Sequence, residues 1–73
     1  MTEEVRAEMV ANVMTVVVGV GDRIDGGDTL VLLESMKMEI PVLAEGPGTV
    51  RAVHVAEGDV VQEGDVLVVL DRR

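Results

Sequence analysis

The two halves of this 73-residue chain resemble each other when they are aligned at an offset of 37 residues. Two Gly-Asp pairs in the first half then coincide with two in the second: Gly21-Asp22 with Gly58-Asp59, and Gly27-Asp28 with Gly64-Asp65. The aliphatic residues around these pairs keep the same register, which chance matching in a sequence rich in Val and Gly does not explain. We predict a single domain over residues 1–73, built from two similar halves at about residues 10–36 and 47–73.

Both halves show the same succession of predicted strands and turns. Aliphatic patterns predict five longer strands, at Glu4–Val10, Asn12–Val18, Thr29–Ser35, Thr49–Val55 and Val66–Asp71. The first of these carries three charges, which is typical of an edge strand. The Gly-Asp segments predict turns, because glycine allows a positive φ and aspartate bonds to the local backbone. Ile24 is the one aliphatic residue of the first turn segment, and we expect it to be buried.

Two similar halves made of short strands, with no helical run, predict an all-β fold. The expected architecture is a flattened barrel or sandwich of two antiparallel sheets with pseudo-two-fold symmetry. The 37-residue offset carries Lys37 to a position one past Arg73, the last residue. We therefore expect Lys37 at one end of the molecule and both chain termini at the other.

The composition excludes several classes of function. The chain has no cysteine and a single histidine, His54, so it offers no thiolate metal site, no thiol nucleophile and no histidine cluster. The net charge of −8 argues against nucleic acid as a partner. The apolar runs are too short to span a membrane, and the acidic N-terminus lacks the positive charge of a signal peptide. We therefore expect a cytoplasmic protein without membrane association.

The most unusual local stretch is Glu34–Glu39, which reads ESMKME and places a lysine between two methionines. Aliphatic runs lead into this stretch and out of it, so two strands that meet there at a tight turn would present Lys37 at the tip of a hairpin. A solvated turn lysine is the simplest explanation of such a residue. Flexible apolar packing at the end of a barrel is the corresponding explanation of Met36 and Met38.

The motif and the repeat together resemble the biotinyl/lipoyl attachment domains, whose biotin branch carries Ala/Ser-Met-Lys-Met around the modified lysine. The short free-standing biotinylated proteins of actinobacteria and the biotin carboxyl carrier domains of acyl-CoA carboxylases look especially similar. The resemblance implies eight strands in two four-stranded sheets, with the modified lysine on an exposed hairpin. Some bacterial carriers insert a protruding thumb after the second strand, but Val18–Gly21 leaves no room for one. We expect a thumbless domain.

The resemblance assigns Lys37 as the residue to which biotin protein ligase attaches biotin covalently, through biotinyl-adenylate. It implies a carboxyl carrier for the biotin carboxylase and carboxyltransferase subunits of a biotin-dependent (acyl-CoA) carboxylase. Such a carrier is not an enzyme, and it has no catalytic or metal-binding residues of its own. The flanks of the motif would be recognised by the ligase and the partner enzymes: Glu34, Ser35, Met36, Met38 and Glu39. By itself the domain is expected to be monomeric.

Two other functions stay open at this point. A lipoyl-type swinging-arm domain has the same fold, but its lysine is commonly preceded by Asp and followed by Ala or Val, whereas here Met stands on both sides. The other is an interaction module that keeps the fold and is not modified. Glu34 and Glu39 are also explained as solvated carboxylates at strand ends, and His54 as a surface or hydrogen-bonded residue of a strand.

Overall fold

A computed structural model describes residues 1–72, and within this range the chain forms eight β-strands. The strands are β1 (Thr2–Arg6), β2 (Ala11–Val16), β3 (Arg23–Ile24), β4 (Thr29–Ser35), β5 (Met38–Leu43), β6 (Gly48–Val53), β7 (Val60–Val61) and β8 (Val66–Asp71). Residues 1–72 contain no helix that is long and apolar enough to cross a membrane.

The eight strands form two four-stranded antiparallel sheets. The first sheet has the order β1-β8-β6-β3, and the second has the order β5-β4-β2-β7. The repeat halves, residues 10–36 and 47–73, therefore each give two long strands to one sheet and a two-residue strand to the other. The remaining strands, β1 and β5, are edge strands of opposite sheets. This exchange confirms the predicted all-β fold with pseudo-two-fold symmetry. Only residues 17–22 connect β2 to β3, so the expected thumbless form is also confirmed.

The strand bounds agree with the sequence prediction to different degrees. Thr29–Ser35 and Val66–Asp71 are strands as predicted, and β2 and β6 are each about two residues shorter at their C-terminal ends. The prediction for Glu4–Val10 is wrong in its bounds, because β1 is Thr2–Arg6. The strand ends there because the backbone of Ala7 bonds to the turn at residues 64–65 instead of to β8. As predicted, β1 is an edge strand.

The core between the sheets is entirely aliphatic and reproduces the repeat. Ile24 is buried, as expected, and so is the residue 37 positions after it. Every other buried residue except Ala11 also has a buried partner at this offset: Ala7 with Ala44, Val13 with Val50, Leu30 with Leu67, Val31 with Val68, and Leu33 with Leu70. Ala11 aligns with Gly48, where a β-carbon would lie 3.0 Å from the backbone oxygen of Asp71. The exception therefore marks a place where two strands approach closely.

Each Gly-Asp segment folds into two turns, where the sequence suggested one. All four turns have the same construction, in which a glycine with φ between 91° and 95° precedes the aspartate. The aspartate Oδ2 accepts a hydrogen bond of 2.8–2.9 Å from the backbone N–H three residues earlier. The positive φ explains the glycines, since other residues adopt it only with strain. The carboxylate satisfies a backbone donor that the turn would otherwise leave without a partner.

The turn glycines also connect the two halves of the chain reciprocally. Gly21 donates its N–H to the carbonyl of Val50, and Gly58 donates to the carbonyl of Val13, the equivalent position of the other half. Gly27 with Ala44 and Gly64 with Ala7 form a second such pair. The turns therefore fix the position of one half against the other as well as reversing the chain.

The first and last described residues are paired side by side. The N–H of Arg72 donates to the carbonyl of Met1 at 2.7 Å, and its guanidinium forms a partly buried ion pair with Glu3. The same guanidinium donates to the carbonyl of Pro47 at 3.0 Å. Pro47 follows the C-terminal end of β5, whereas Lys37 precedes the N-terminal end of that strand. The structure therefore confirms that Lys37 and the paired ends of the chain lie at opposite ends of the molecule.

Candidate functional site

Lys37 lies at the tip of the β4–β5 hairpin, as the sequence predicts. Ser35 pairs with Met38, so Met36 and Lys37 alone form the connection. Their φ angles are 54° and 63°, and positive φ at both central residues is the signature of a type I′ turn. This turn matches the right-handed twist of the two strands, but it normally uses Asn and Gly. Each residue with a side chain costs about 1–2 kcal/mol in this left-handed region.

The three residues around the tip are exposed. Lys37 is exposed, and the exposed fractions of Met36 and Met38 are 88% and 59%. The salt bridges formed within residues 1–72 do not involve Lys37. A primary amine at the apex of a stiff two-residue turn can be reached by another protein from several directions. An acyl group joined to this amine would extend into solvent without a clash with the sheets.

Two carboxylates lie on one face of the hairpin. Glu34 on β4 is paired directly with Glu39 on β5, so both side chains project from the same face of the second sheet. Glu39 is exposed and Glu34 is half-buried. Like charges directly opposite one another destabilise a sheet. The fold alone therefore gives no reason for this pair.

The register extends this face across the whole second sheet. Asn12 on β2 is opposite Glu34, and Val60 on β7 is opposite Asn12. Both residues are exposed. The sequence analysis did not associate either residue with the hairpin, because neither belongs to the motif and only the strand order places them beside it.

The charges of the two sheets differ. Strands β2, β4, β5 and β7 of the second sheet lie wholly within the described range and contain no Lys or Arg. The arginines of residues 1–72 belong to the first sheet or follow it: Arg6, Arg23, Arg51 and Arg72. Lys37 is thus the one cation on the hairpin side, and the strands next to it carry only negative charge.

Other candidate residues form no site. His54 is exposed just after β6, and its backbone N–H donates to the carbonyl of Leu67. This confirms the interpretation of His54 as a surface residue. Residues 1–72 contain no group of three or more His, Cys, Asp or Glu side chains arranged to hold a metal ion.

Comparison with known proteins places this chain in a family. A family model described as "Biotin-requiring enzyme" matches residues 3–70. A protein named biotinylated protein TB7.3 homolog, from Mycobacterium leprae, is 66% identical over 53 residues, which are 73% of this chain and 75% of that protein.

Two solved structures share the fold. A domain of a single-chain, multi-domain long-chain acyl-CoA carboxylase superposes with a TM-score of 0.93 and 33% identity over 99% of this chain. The match covers 7% of that carboxylase chain. The lipoyl domain of the 2-oxoglutarate dehydrogenase complex from Azotobacter vinelandii superposes less closely, with a TM-score of 0.75 and 28% identity over 86% of this chain and 80% of that one.

In the hairpin geometry, the single lysine of the chain lies exposed at the tip of a two-residue turn. The chain belongs to the biotin/lipoyl attachment family of biotin-requiring enzymes, as a biotin-attachment domain whose cofactor is biotin.

Proposed function

We propose that Lys37 is the residue that carries biotin and that the domain acts as a carboxyl carrier for a biotin-dependent, acyl-CoA-type carboxylase. The observation that carries this proposal is the position of Lys37 at the exposed tip of a two-residue hairpin, within Ser-Met-Lys-Met. The sequence contains one lysine, so the only other amine of the chain is the N-terminus. The N-terminus lies at the opposite end of the molecule.

The attachment step requires little chemistry from this chain. The Lys37 Nζ, once it has lost a proton to the ligase, attacks the acyl carbon of biotinyl-adenylate. An amide bond forms, the bond between the acyl carbon and the phosphate oxygen breaks, and AMP leaves. The hairpin contributes geometry, because strands on both sides of the turn hold Lys37 in one position relative to the sheet.

As a carrier, the domain would present one reactive group to two enzymes in turn. Lys37 would hold the biotin, whose ureido nitrogen would supply the chemistry of carboxylate transfer between a biotin carboxylase and a carboxyltransferase. The chain itself contributes the tether, which raises the local concentration of the group in each enzyme, and it adds no catalytic residue. Its net charge of −8 favours solubility during these transfers.

The flanking residues are proposed as the surface that the ligase and the carboxylase subunits recognise. Met36 and Met38 offer exposed apolar side chains beside Lys37, and Glu34 and Glu39 offer the paired carboxylates below it. Ser35 closes the hairpin opposite Met38. We further propose a cytoplasmic location for this protein.

Intact mass spectrometry tests the proposal directly. The protein is expressed together with a biotin protein ligase, and the Lys37→Arg variant, which keeps a positive charge at the turn, is the matched control. The expected result is one added biotinyl group on the wild type and none on the variant. No added mass on the wild type, with the ligase active on a known substrate, would contradict the assignment of Lys37.

Lipoylation is the second candidate, because the lipoyl domain noted above shares the fold. The double variant Met36→Asp, Met38→Ala resembles the lipoyl pattern and should lose biotin and gain modification by a lipoate ligase. Unchanged biotinylation of this variant would show that the two methionines do not direct the choice. An unmodified interaction module would instead give partner capture that is independent of Lys37.

A further inference from the structure

The methionines are the main oxidisable side chains of this protein. The chain has no cysteine, tryptophan or tyrosine, and it has five methionines. Of the four methionines other than Met1, Met36 has the largest exposed fraction, 88%, followed by Met38 with 59% and Met9 with 38%. The fourth, Met14, is half-buried. The two most exposed internal thioethers therefore lie on either side of Lys37.

Oxidation at these two residues would leave the fold intact. Neither Met36 nor Met38 belongs to the aliphatic core, and the pairing of Ser35 with Met38 uses the backbone. A sulfoxide oxygen on either side chain would point into solvent. The change would therefore be confined to the polarity of the tip, where an apolar, flexible side chain becomes a polar one.

We propose that Met36 and Met38 form an oxidative modification site, at which sulfoxide formation blocks attachment of the cofactor to Lys37. Each thioether sulfur takes one oxygen atom from hydrogen peroxide, so that the methionine is oxidised to the sulfoxide and the hydrogen peroxide is reduced to water. The modification itself depends only on exposure, whereas its effect on attachment rests on the proposed function. Methionine sulfoxide reductases reverse the change, so the site can be restored.

The effect on attachment follows from what the ligase has to contact. On the proposed function, the ligase that reaches Lys37 Nζ also contacts the exposed side chains of Met36 and Met38 on either side of it. Transfer of one methionine side chain from water to an apolar contact is worth about an order of magnitude or more in a rate or equilibrium constant. A sulfoxide retains its water and loses this contribution. We expect the rate of attachment to fall by about tenfold or more.

The experiment treats the purified, unmodified protein with hydrogen peroxide and then presents it to biotin protein ligase. Peptide mass mapping locates the sulfoxides, and intact mass measures the rate of biotin attachment. The test variant is Met36→Leu, Met38→Leu, which keeps two apolar side chains that peroxide does not oxidise. The matched control is Met9→Leu, Met14→Leu, which retains both residues of the proposed site.

We expect peroxide to oxidise Met36 and Met38 before Met9 and Met14. After this treatment, biotin should be attached more slowly to the wild type and to the matched control. The rate of attachment to the test variant, compared with that of the same variant before treatment, should not change with peroxide, and a sulfoxide reductase should restore the wild type. Faster oxidation of Met9 or Met14, or equal attachment rates for oxidised and unoxidised wild type, would overturn the proposal. Failure of the untreated wild type to accept biotin would instead refute the proposed function, while the mapping would still decide which thioethers react first.

Discussion

Replacing Met36 by asparagine should stabilise the protein, although it changes the attachment motif. Met36 adopts a φ of 54° at the first central position of the type I′ turn. This is the position at which natural two-residue hairpins prefer asparagine. The short polar side chain of asparagine tolerates the left-handed region because it hydrogen-bonds locally, and a methionine side chain does not.

The expected magnitude follows from the cost of the left-handed conformation. A residue with an ordinary side chain loses about 1–2 kcal/mol there, and we assume that asparagine recovers about half of this loss. The free energy of unfolding should then rise by about 0.5–1 kcal/mol. For a domain of about this size, 1 kcal/mol corresponds to roughly 4–8 °C, so the midpoint of thermal unfolding should rise by about 2–8 °C.

The protein has no aromatic residue, so its unfolding cannot be followed by intrinsic fluorescence. Scanning calorimetry or far-ultraviolet circular dichroism gives the midpoint for the wild type and the variant. Met38→Asn is the control, because residue 38 lies in a strand without positive φ and asparagine is unfavourable in strands. A midpoint for Met36→Asn that is unchanged or lower would refute the reasoning. A rise would show that methionine is present at residue 36 at the expense of stability.

Three further substitutions test the core, a close approach of strands and a turn. Leu67→Ala should lower the free energy of unfolding by about 2–5 kcal/mol, because Leu67 is fully buried. A loss below about 0.5 kcal/mol in chemical denaturation would contradict a core that both halves of the chain share. Gly48→Ala should cost about 1–3 kcal/mol, because its new β-carbon would lie 3.0 Å from the backbone oxygen of Asp71; an unchanged melting temperature would show that the strands separate freely. Asp59→Ala should lower the free energy of unfolding by about 0.5–2 kcal/mol, because the N–H of Ala56 loses its carboxylate acceptor. If the Asp59→Glu and Asp59→Ala variants were equally stable, this would argue against a specific hydrogen bond in the turn.

The parts of the fold that the sequence predicts well are those in which local pattern and repeat agree. The strands Thr29–Ser35 and Val66–Asp71 are continuous aliphatic runs that occupy equivalent positions of the two halves, and both have the predicted bounds. The strand predicted at Glu4–Val10 lies outside the two repeat halves recognised in the sequence, although the structure shows β5 as its equivalent at the 37-residue offset. The true end of the predicted strand is set by bonds between Ala7 and the turn near Asp65, and a contact so distant along the chain leaves no local signal.

The sequence predicts the attachment motif around Lys37, but it does not predict which residues of other strands lie beside this motif. Residue types and spacing indicate a hairpin with Lys37 at its tip, and the structure has this hairpin. The left-handed conformation of Met36 and Lys37 has no sequence signal, since such turns are ordinarily marked by Asn or Gly. Asn12 and Val60 join the face below the hairpin only through strand order, and the pattern within each strand does not determine that order.

The pairing of Met1 with Arg72 determines how this molecule can move when it is held. Because the two residues are adjacent, a flexible tether joined to either of them would be attached at the same place, and the domain could rotate about that attachment point. The rigid body, whose longest extent is 35 Å, would then turn about that point with Lys37 on the far side. The distance covered by this rotation would add to the length of the Lys37 side chain and the group attached to it. Two active sites separated by tens of ångströms could be visited by rotation of an unchanged domain, without any unfolding of the hairpin.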